Sequence, residues 1–364
     1  MNSISKKIPY WKPVIDNNDY KKLNLIFKNN FVNQGPVNNS FENKIKKLFN
    51  IKYSITTNNC TTAIFLALKA INLKHNDEVV IPNITWIAVA NAVKLTDAKV
   101  VLCDVSEKDY NLDFESLKKS INKKTKAVIY VHNSGRSGDI KKISSYLKKK
   151  SIILIEDAAE AFYSKFNNIF LGTYGDFGCY SFTPNKLITC GQGGMLVCKN
   201  KKFYNFIKNF KNQGVDGQVF KGNNKIQFPG FNFKFSDLQA SLCLSQMEKI
   251  KKRIFRLKRN YKLYLKNLKN ITHTQIIKTD VDNGNIPLWV DCISEKKKEI
   301  ISLFKKNNIG YRDYWLPIAN QNGYKTNKKF KVSGNQVNKL FWLPSSYTLK
   351  DYDVIKVCNI IKNL

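Results

Sequence analysis

Two stretches of this 364-residue sequence hold residue types that could do chemistry at a shared place. IILIEDAAEAF runs from an apolar segment into Glu156, Asp157 and Glu160, and further on GCYSFTPNKLITCGQGGML sets Lys186 between two apolar runs, ahead of a glycine-rich turn. An acidic residue closing a strand often does no more than cap the next helix. One lysine among 56 carries no weight by itself. Position separates this pair from that background. Carboxylates ending an apolar strand lie at the carboxyl edge of a sheet, where open α/β sheets bind ligands. A loop rich in glycine lets its backbone approach such a ligand closely. A desolvated lysine amine there is a nucleophile, and a carboxylate there holds a cation.

The elements that must position these groups alternate from Tyr53 onward. KYSITT reads as a strand and CTTAIFLALKAI as a helix with apolar residues at three and four spacing. EVVIP, AKVVLCDV, KAVIYVH and SIILIEDA read as strands, separated by the helical stretches TWIAVANAVKL, FESLKKSI and DIKKISSYLKKK. This rhythm predicts a largely parallel sheet covered on both faces. GCYSF and GMLVCK add two strands. The stretch GVDGQVFKGNNKIQFPGFNFKFS is too aromatic for a plain linker, and SDLQASLCLSQMEKIKKRIFRLKRNYKLYLKNL reads as one long helix or a broken pair leading to a C-terminal domain. There, IPLWVDCI is expected to be a strand and EKKKEIISLFKKN a helix. The division expected is an N-terminal arm over 1–30, a large domain over 31–245 and a small domain over 246–364.

Composition narrows the class. No run of about 18 uncharged apolar residues is present to span a bilayer, and MNSISKKIPYWKP lacks the apolar run of a secretory signal. Eight cysteines without a CxxC pair, and three histidines, argue against zinc and for a reducing, cytoplasmic setting. The net charge of +34 invites a nucleic-acid reading, but only five of 61 basic residues are arginine, and the lysines are spread along the whole chain. Arginine is the better base and phosphate reader, so the excess is read as solvated faces that attract anionic substrates. No nucleic-acid or membrane partner is expected.

Five separated motifs, NNCTTAIFLAL, VVIPNITWIAVANAV, IEDAAEA, YSFTPNKLITCGQGGM and PGFNFKFSDLQASLCLSQME, resemble the DegT/StrS sugar aminotransferases. The resemblance runs in order from about Pro9 to the end, and in texture it leans toward the perosamine synthases, which aminate a GDP-linked 4-keto-6-deoxy sugar. It implies the aspartate-aminotransferase-like fold (fold type I, α/β), with a mainly parallel seven-stranded sheet and a smaller C-terminal α/β domain. It also implies pyridoxal 5'-phosphate as cofactor. That group is an electron sink whose ring nitrogen must stay protonated. Asp157 matches the carboxylate held against that nitrogen, and Lys186 matches the lysine whose amine carries the cofactor and, once displaced, moves the proton. Trp86 matches the ring's apolar cover and Glu160 the contact to its hydroxyl.

For the phosphate, the resemblance points to the start of the helix at Cys60 and Thr61, where helix N-terminal amides receive anions, and to Ser181. Asn232 matches an asparagine reaching in from a neighbouring subunit, which implies a homodimer. Cys60 stands where most relatives carry glycine. Only a positive φ would make that departure costly. Gln34, Gly35, Arg312 and Tyr314 match segments that line the sugar-nucleotide pocket. Lys234 replaces a frequent arginine, and Ala319 a frequent histidine. Asn133 and Arg136 also depart from the usual form; they bear on substrate choice or belong to a solvated loop.

The function expected is transfer of an amino group from glutamate to a nucleotide-linked keto-sugar, at C4 by the perosamine-like motifs, giving an aminosugar for a surface glycan or lipopolysaccharide. C3 amination shares nearly all the motifs. Sugar deoxygenation is disfavoured because those relatives replace the cofactor lysine by histidine. A non-catalytic basic binding protein on the same fold would need none of Asp157, Ser181 and Lys186.

Overall fold

The computed structural model describes residues 7–215 and 226–364. Residues 216–225, the middle of the glycine- and phenylalanine-rich stretch, and residues 1–6 lie outside the described residues.

Helices α1 (Asn17–Lys28) and α2 (Pro36–Phe49) lead into β1 (Tyr53–Thr57) and α3 (Cys60–Ala70). The alternation continues through β2 (Glu78–Pro82), α4 (Ala88–Lys94), β3 (Lys99–Cys103), α5 (Phe114–Ser120), β4 (Thr125–Val131), α6 (Ile140–Lys149) and β5 (Ile153–Asp157). A short hairpin, β6 (Lys165–Phe166) and β7 (Ile169–Phe170), precedes β8 (Phe177–Ser181), β9 (Gly194–Cys198) and α7 (Lys201–Phe210). Seven strands form one sheet in the order β1-β9-β8-β5-β4-β2-β3. The β2, β3, β4, β5 and β8 pairings are parallel, while β9 runs antiparallel to β8 and β1. The expected, mainly parallel seven-stranded sheet is what forms. Its strands are apolar on both faces because both are covered; Ala127, Val128, Ile129 and Tyr130 are all fully buried.

The covering helices follow from their sequences. α6 buries Ile140, Ile143 and Leu147 along one stripe and turns its lysines outward, each apolar side chain contributing about 1.5–3 kcal/mol. α3 is different. Ala63 through Leu68 are buried on every side, so it is a core helix packed against the sheet, α4 and α7. TWIAVANAVKL is helical only from Ala88, which leaves Thr85 and Trp86 in the connection after β2.

The long basic segment is a broken pair, α8 (Asp237–Glu248) and α9 (Ile250–Leu268), with Lys249 at the joint held by Asp16 and Asp19. A second sheet in the order β10-β11-β13-β12 is antiparallel throughout. It is built from β10 (Thr274–Ile276), β11 (Val290–Ser294), β12 (Arg312–Asp313) and β13 (Leu340–Leu343), with α10 (Lys297–Lys306) and α11 (Asp351–Lys362) packed on it. IPLWVDCI is extended only from Val290. Its first half crosses to the other sheet, where Leu288 N–H donates to the Ser134 carbonyl. No helix among the described residues is long and apolar enough to cross a membrane.

Candidate active site

Because β8, β5 and β4 are parallel neighbours, their carboxyl ends deliver Ser181, Asp157 and the His132–Asn133 turn side by side. The end of β2 adds Thr85 and Trp86, and the first turn of α3 adds Cys60 and Thr61. Together with Glu160, Lys186 and Arg312 these residues line one cavity of about 490 Å³. Eight of the residues expected from the sequence therefore meet where the sheet topology says a ligand should sit.

Asp157 is 6 % exposed, and burial pushes its pKa up, with the Ala159 amide and the Lys186 charge acting in the opposite direction. Its Oδ1 accepts from Ala159 N at 3.0 Å and lies 3.8 Å from the Cys60 thiol. Oδ2 accepts no hydrogen bond among the described residues. A buried carboxylate in this state gains from a cation placed beside it.

Lys186 is held by its loop. Phe182 N–H donates to Gly193 O and Cys190 N–H to Phe182 O, closing the segment, and Trp11 Nε1 donates to Pro184 O at 3.0 Å. A Cβ on Gly193 would come within 2.6 Å of Cys190 Sγ and 2.7 Å of Phe235, so the turn requires glycine there. Lys186 Nζ lies 3.4 Å from Glu160 Oε1. Glu160 is itself fixed: Trp289 Nε1 donates to Oε1 at 2.9 Å and Ser134 N–H to Oε2 at 2.8 Å. Sequence reasoning missed Trp289 and Ser134. Trp289 comes from the far side of the chain, and only the crossing of IPLW into the first sheet brings it here.

At the start of α3, Asn59 caps the helix by accepting from Thr62 N–H at 2.8 Å. The Cys60 and Thr61 amides precede that cap and have no partner among the described residues, so they face the cavity as free donors. Cys60 is absent from the residues with positive φ, which removes the one objection to a cysteine at this place. The requirement for glycine has moved to β9: a Cβ on Gly194 would come within 2.4 Å of the Asn59 backbone and 2.7 Å of Cys60 N.

The cavity mouth is aromatic. Trp86 is 53 % exposed and packs on Trp315 at 5.0 Å between ring centroids; the Arg312 guanidinium lies over Trp315 at 4.5 Å and over Trp342 at 5.2 Å. The Arg312 guanidinium has no hydrogen bond or ion pair among the described residues, while its backbone pairs with Trp342 of β13, so the side chain presents an uncommitted cation to the cavity.

Four expected residues do not line the cavity of their own chain. Gln34 and Gly35 stand before α2, where the Gly35 amide donates to Asp237 Oδ1 at 2.9 Å. Tyr314 is buried behind the wall, its hydroxyl 3.5 Å from Asp291 Oδ2. Asn232 is exposed, in a short backbone bridge to Asn212. The solvated-loop reading of Asn133 and Arg136 is corrected: they are 1 % and 2 % exposed. Arg136 pairs with Asp291 of β11 and donates through Nε to Asp109 O at 2.9 Å. Loops are solvated when their polar groups lack internal partners, and these have them.

The donor set fits pyridoxal phosphate. Free helix amides and the Ser181 hydroxyl suit a phosphate, a buried carboxylate suits a pyridinium nitrogen, and a partly desolvated amine suits an aldehyde. Residues 13–362 match the DegT/DnrJ/EryC1/StrS aminotransferase family. The GDP-perosamine synthase of Vibrio cholerae is 30% identical over 367 residues, with 98% of each chain covered, and that of Escherichia coli O157:H7 is 29% identical over 362 residues with the same coverage. Among solved structures, the aminotransferase TlmJ from Streptoalloteichus hindustanus matches with a TM-score of 0.94 at 20% identity over 98% of both chains. Helicobacter pylori PseC, an aminotransferase involved in the biosynthesis of pseudoaminic acid, matches at 0.91 and 21% over 98% of this chain and 99% of that one. The chain belongs to the DegT/DnrJ/EryC1/StrS family of aminotransferases, which are pyridoxal-phosphate enzymes.

Proposed function

We propose that the chain moves an amino group from glutamate to C4 of a nucleotide-linked 4-keto-6-deoxy hexose, giving an aminosugar for a surface glycan or lipopolysaccharide. The observation that carries this is one cavity holding both Asp157 and Lys186, in a chain that matches GDP-perosamine synthases over 98% of its length. Eight unpaired, buried thiols support a reducing, cytoplasmic setting.

In this reading bound pyridoxal phosphate supplies the electron sink. Lys186 carries the cofactor and moves the proton at the amino carbon. Asp157 keeps the ring nitrogen charged, Glu160 holds the ring hydroxyl and the Lys186 amine, and Trp86 covers the ring. Cys60 and Thr61 amides, with Ser181, take the phosphate. A homodimer would let Asn232 of the partner subunit complete that site, a role supported by its exposure in its own chain. Arg312 is assigned to the anionic part of the substrate, supported by its uncommitted guanidinium over two indoles. We divide the chain into a cofactor-binding unit over 31–245 and a smaller unit over 246–364.

The test is a panel of GDP-, UDP- and dTDP-linked 3-keto and 4-keto sugars incubated with the holoenzyme and glutamate, with products read by mass. Amination of a 4-keto-6-deoxy sugar is expected. Amination of 3-keto sugars alone would move the reaction to C3, and no amination of any member would remove the reading.

A further inference from the structure

The turn after β4 contains a polar group that the reading above leaves unused. Asn133 lines the cavity and is 1 % exposed. Its backbone N–H donates to Asn111 Oδ1 at 3.0 Å and its Nδ2 donates to the Tyr110 carbonyl at 2.6 Å. A carbonyl can only accept, so the side-chain atom facing Tyr110 is the nitrogen and the amide cannot be turned over without losing that bond. Oδ1 is therefore the free end, and it has no partner among the described residues. Buried acceptors are nearly always paired, so an unpaired one beside a cavity points to a ligand that supplies the donor.

The neighbouring backbone holds it in place. Ser134 has φ of +53°, an uncommon conformation for a residue with a side chain. It is pinned there by its N–H to Glu160 and its Oγ to Asp291 at 2.7 Å. A local conformation stabilised by partners on two different segments is fixed in advance of binding.

We infer that Asn133 is a specificity-determining residue that accepts a hydrogen bond from a sugar hydroxyl next to the carbon being aminated. This rests on the proposed reaction and deepens it. Oδ1 is an acceptor only, so it does not favour the donor's carboxylates or a diphosphate, which are acceptors too. In the proposed reaction the other donors in this cavity already have acceptors, the ring nitrogen in Asp157 and the ring hydroxyl and Lys186 amine in Glu160, which leaves the sugar hydroxyls as the donors for Oδ1. Arg136, the other departure in the segment, is spent on Asp291 and does not line the cavity.

The experiment compares the holoenzyme with its N133L variant on an accepted nucleotide keto-sugar and on the analogues lacking one hydroxyl at a carbon flanking the ketone. An unpaired buried acceptor predicts that the wild type prefers one hydroxylated sugar by about 10- to 100-fold in kcat/KM, that is ~1.4–2.8 kcal/mol. N133L should shrink that preference to about threefold or less. The donor half-reaction, followed as loss of cofactor colour with glutamate alone, and the affinity of the apo chain for cofactor should both stay within about threefold of wild type if the contact is to the sugar only. Two results overturn the inference: a wild type indifferent to every single deoxygenation, or an N133L in which the glutamate half-reaction or cofactor affinity falls as far as the sugar half-reaction. The wild-type series needs no variant, so it decides the question even if N133L does not fold. Sugar turnover without discrimination removes this inference alone; absence of sugar turnover removes the proposed reaction with it.

Discussion

Trp289 reaches from the segment before β11 to donate its indole N–H to Glu160 Oε1, the same oxygen that faces Lys186. The Lys186 amine is thus positioned by a contact between the first sheet's connections and the segment that enters the second sheet. Trp289 is fully buried and stacked on Trp342 at 5.1 Å, so its orientation is set by packing. Trp289→Phe keeps most of that packing and deletes the donor. The cost expected is about 1–3 kcal/mol in unfolding free energy, measured by denaturant titration of the cofactor-free chain. An unchanged midpoint would mean the bond contributes nothing to holding Glu160.

Lys186→Ala should behave in the opposite way. Glu160 keeps its bonds from Trp289 and Ser134 and Asp157 its bond from Ala159, and only the through-space help of the Lys186 charge to Asp157 is lost, so the unfolding free energy should move by no more than about 1 kcal/mol. Chemistry is what disappears. Borohydride reduction of the wild-type holoenzyme should fix one cofactor per chain, located at Lys186 by peptide mass; the variant should fix none. Cofactor reduced onto a different lysine would falsify the assignment.

The Arg136–Asp291 pair joins the turn after β4 to β11, and both residues are about fully buried. Removing one partner strands a buried charge. Arg136→Met should cost about 3–5 kcal/mol, whereas the double variant Arg136→Met with Asp291→Leu should recover most of that loss. The readout is a double-mutant cycle in denaturant midpoints. Additive single losses would show that the pair is not coupled.

How much of this was legible in the sequence depends on whether a residue acts along its own element or across elements. Asp157 and Lys186 could be found because each ends or follows an apolar strand of the sheet, where topology dictates the edge, while Ser181 was legible only through the family resemblance. Cys60 and Thr61 followed from the helix that starts after KYSITT. The Gly194 approach, the Trp289 bond and the Arg136–Asp291 pair join residues 134 or more positions apart in two of the three cases, and no local pattern encodes such meetings. Arg136 was open to misreading for the same reason: a Gly- and Ser-flanked arginine looks solvated until its partner on β11 is known. KYSITT opened the βαβ rhythm correctly yet lies at the sheet edge beside the last strand, because β9 turns back between β8 and β1.

Asp157 makes stability depend on pH with a definite sign. Burial raises its pKa in the folded chain, while in the unfolded chain it titrates near its ordinary value of about 3.9. Between the two the folded state still holds a proton that the unfolded state has released, so this group's contribution to stability falls as pH rises. Asp157→Asn removes that penalty. At pH 7 to 8 the cofactor-free variant should therefore melt higher than the cofactor-free wild type, with the gap closing toward about pH 4. Bound cofactor, by setting a cation beside the carboxylate, should reverse the ranking. A variant that melts below wild type without cofactor would show that the carboxylate is already well compensated within the chain.

The Cys60 thiol lies 3.8 Å from Asp157 Oδ1, and burial together with the Asp157 charge pushes its pKa well up. The thiolate is the reactive form, so lining the cavity should not make this cysteine reactive. Cys103, Cys198 and Cys358 are pushed up to about 12 by burial, and all eight cysteines are buried and unpaired. A disulfide-exchange reagent at pH 8 should accordingly titrate almost no thiol in the native chain and eight after unfolding in guanidinium. Cys60→Gly tests the backbone half of the argument. Since the position has ordinary helical geometry at the start of α3, glycine should lose only about 0.3 kcal/mol relative to cysteine through helix propensity, plus the contacts of the buried thiol, and a gain in stability would mean that cysteine is strained there after all.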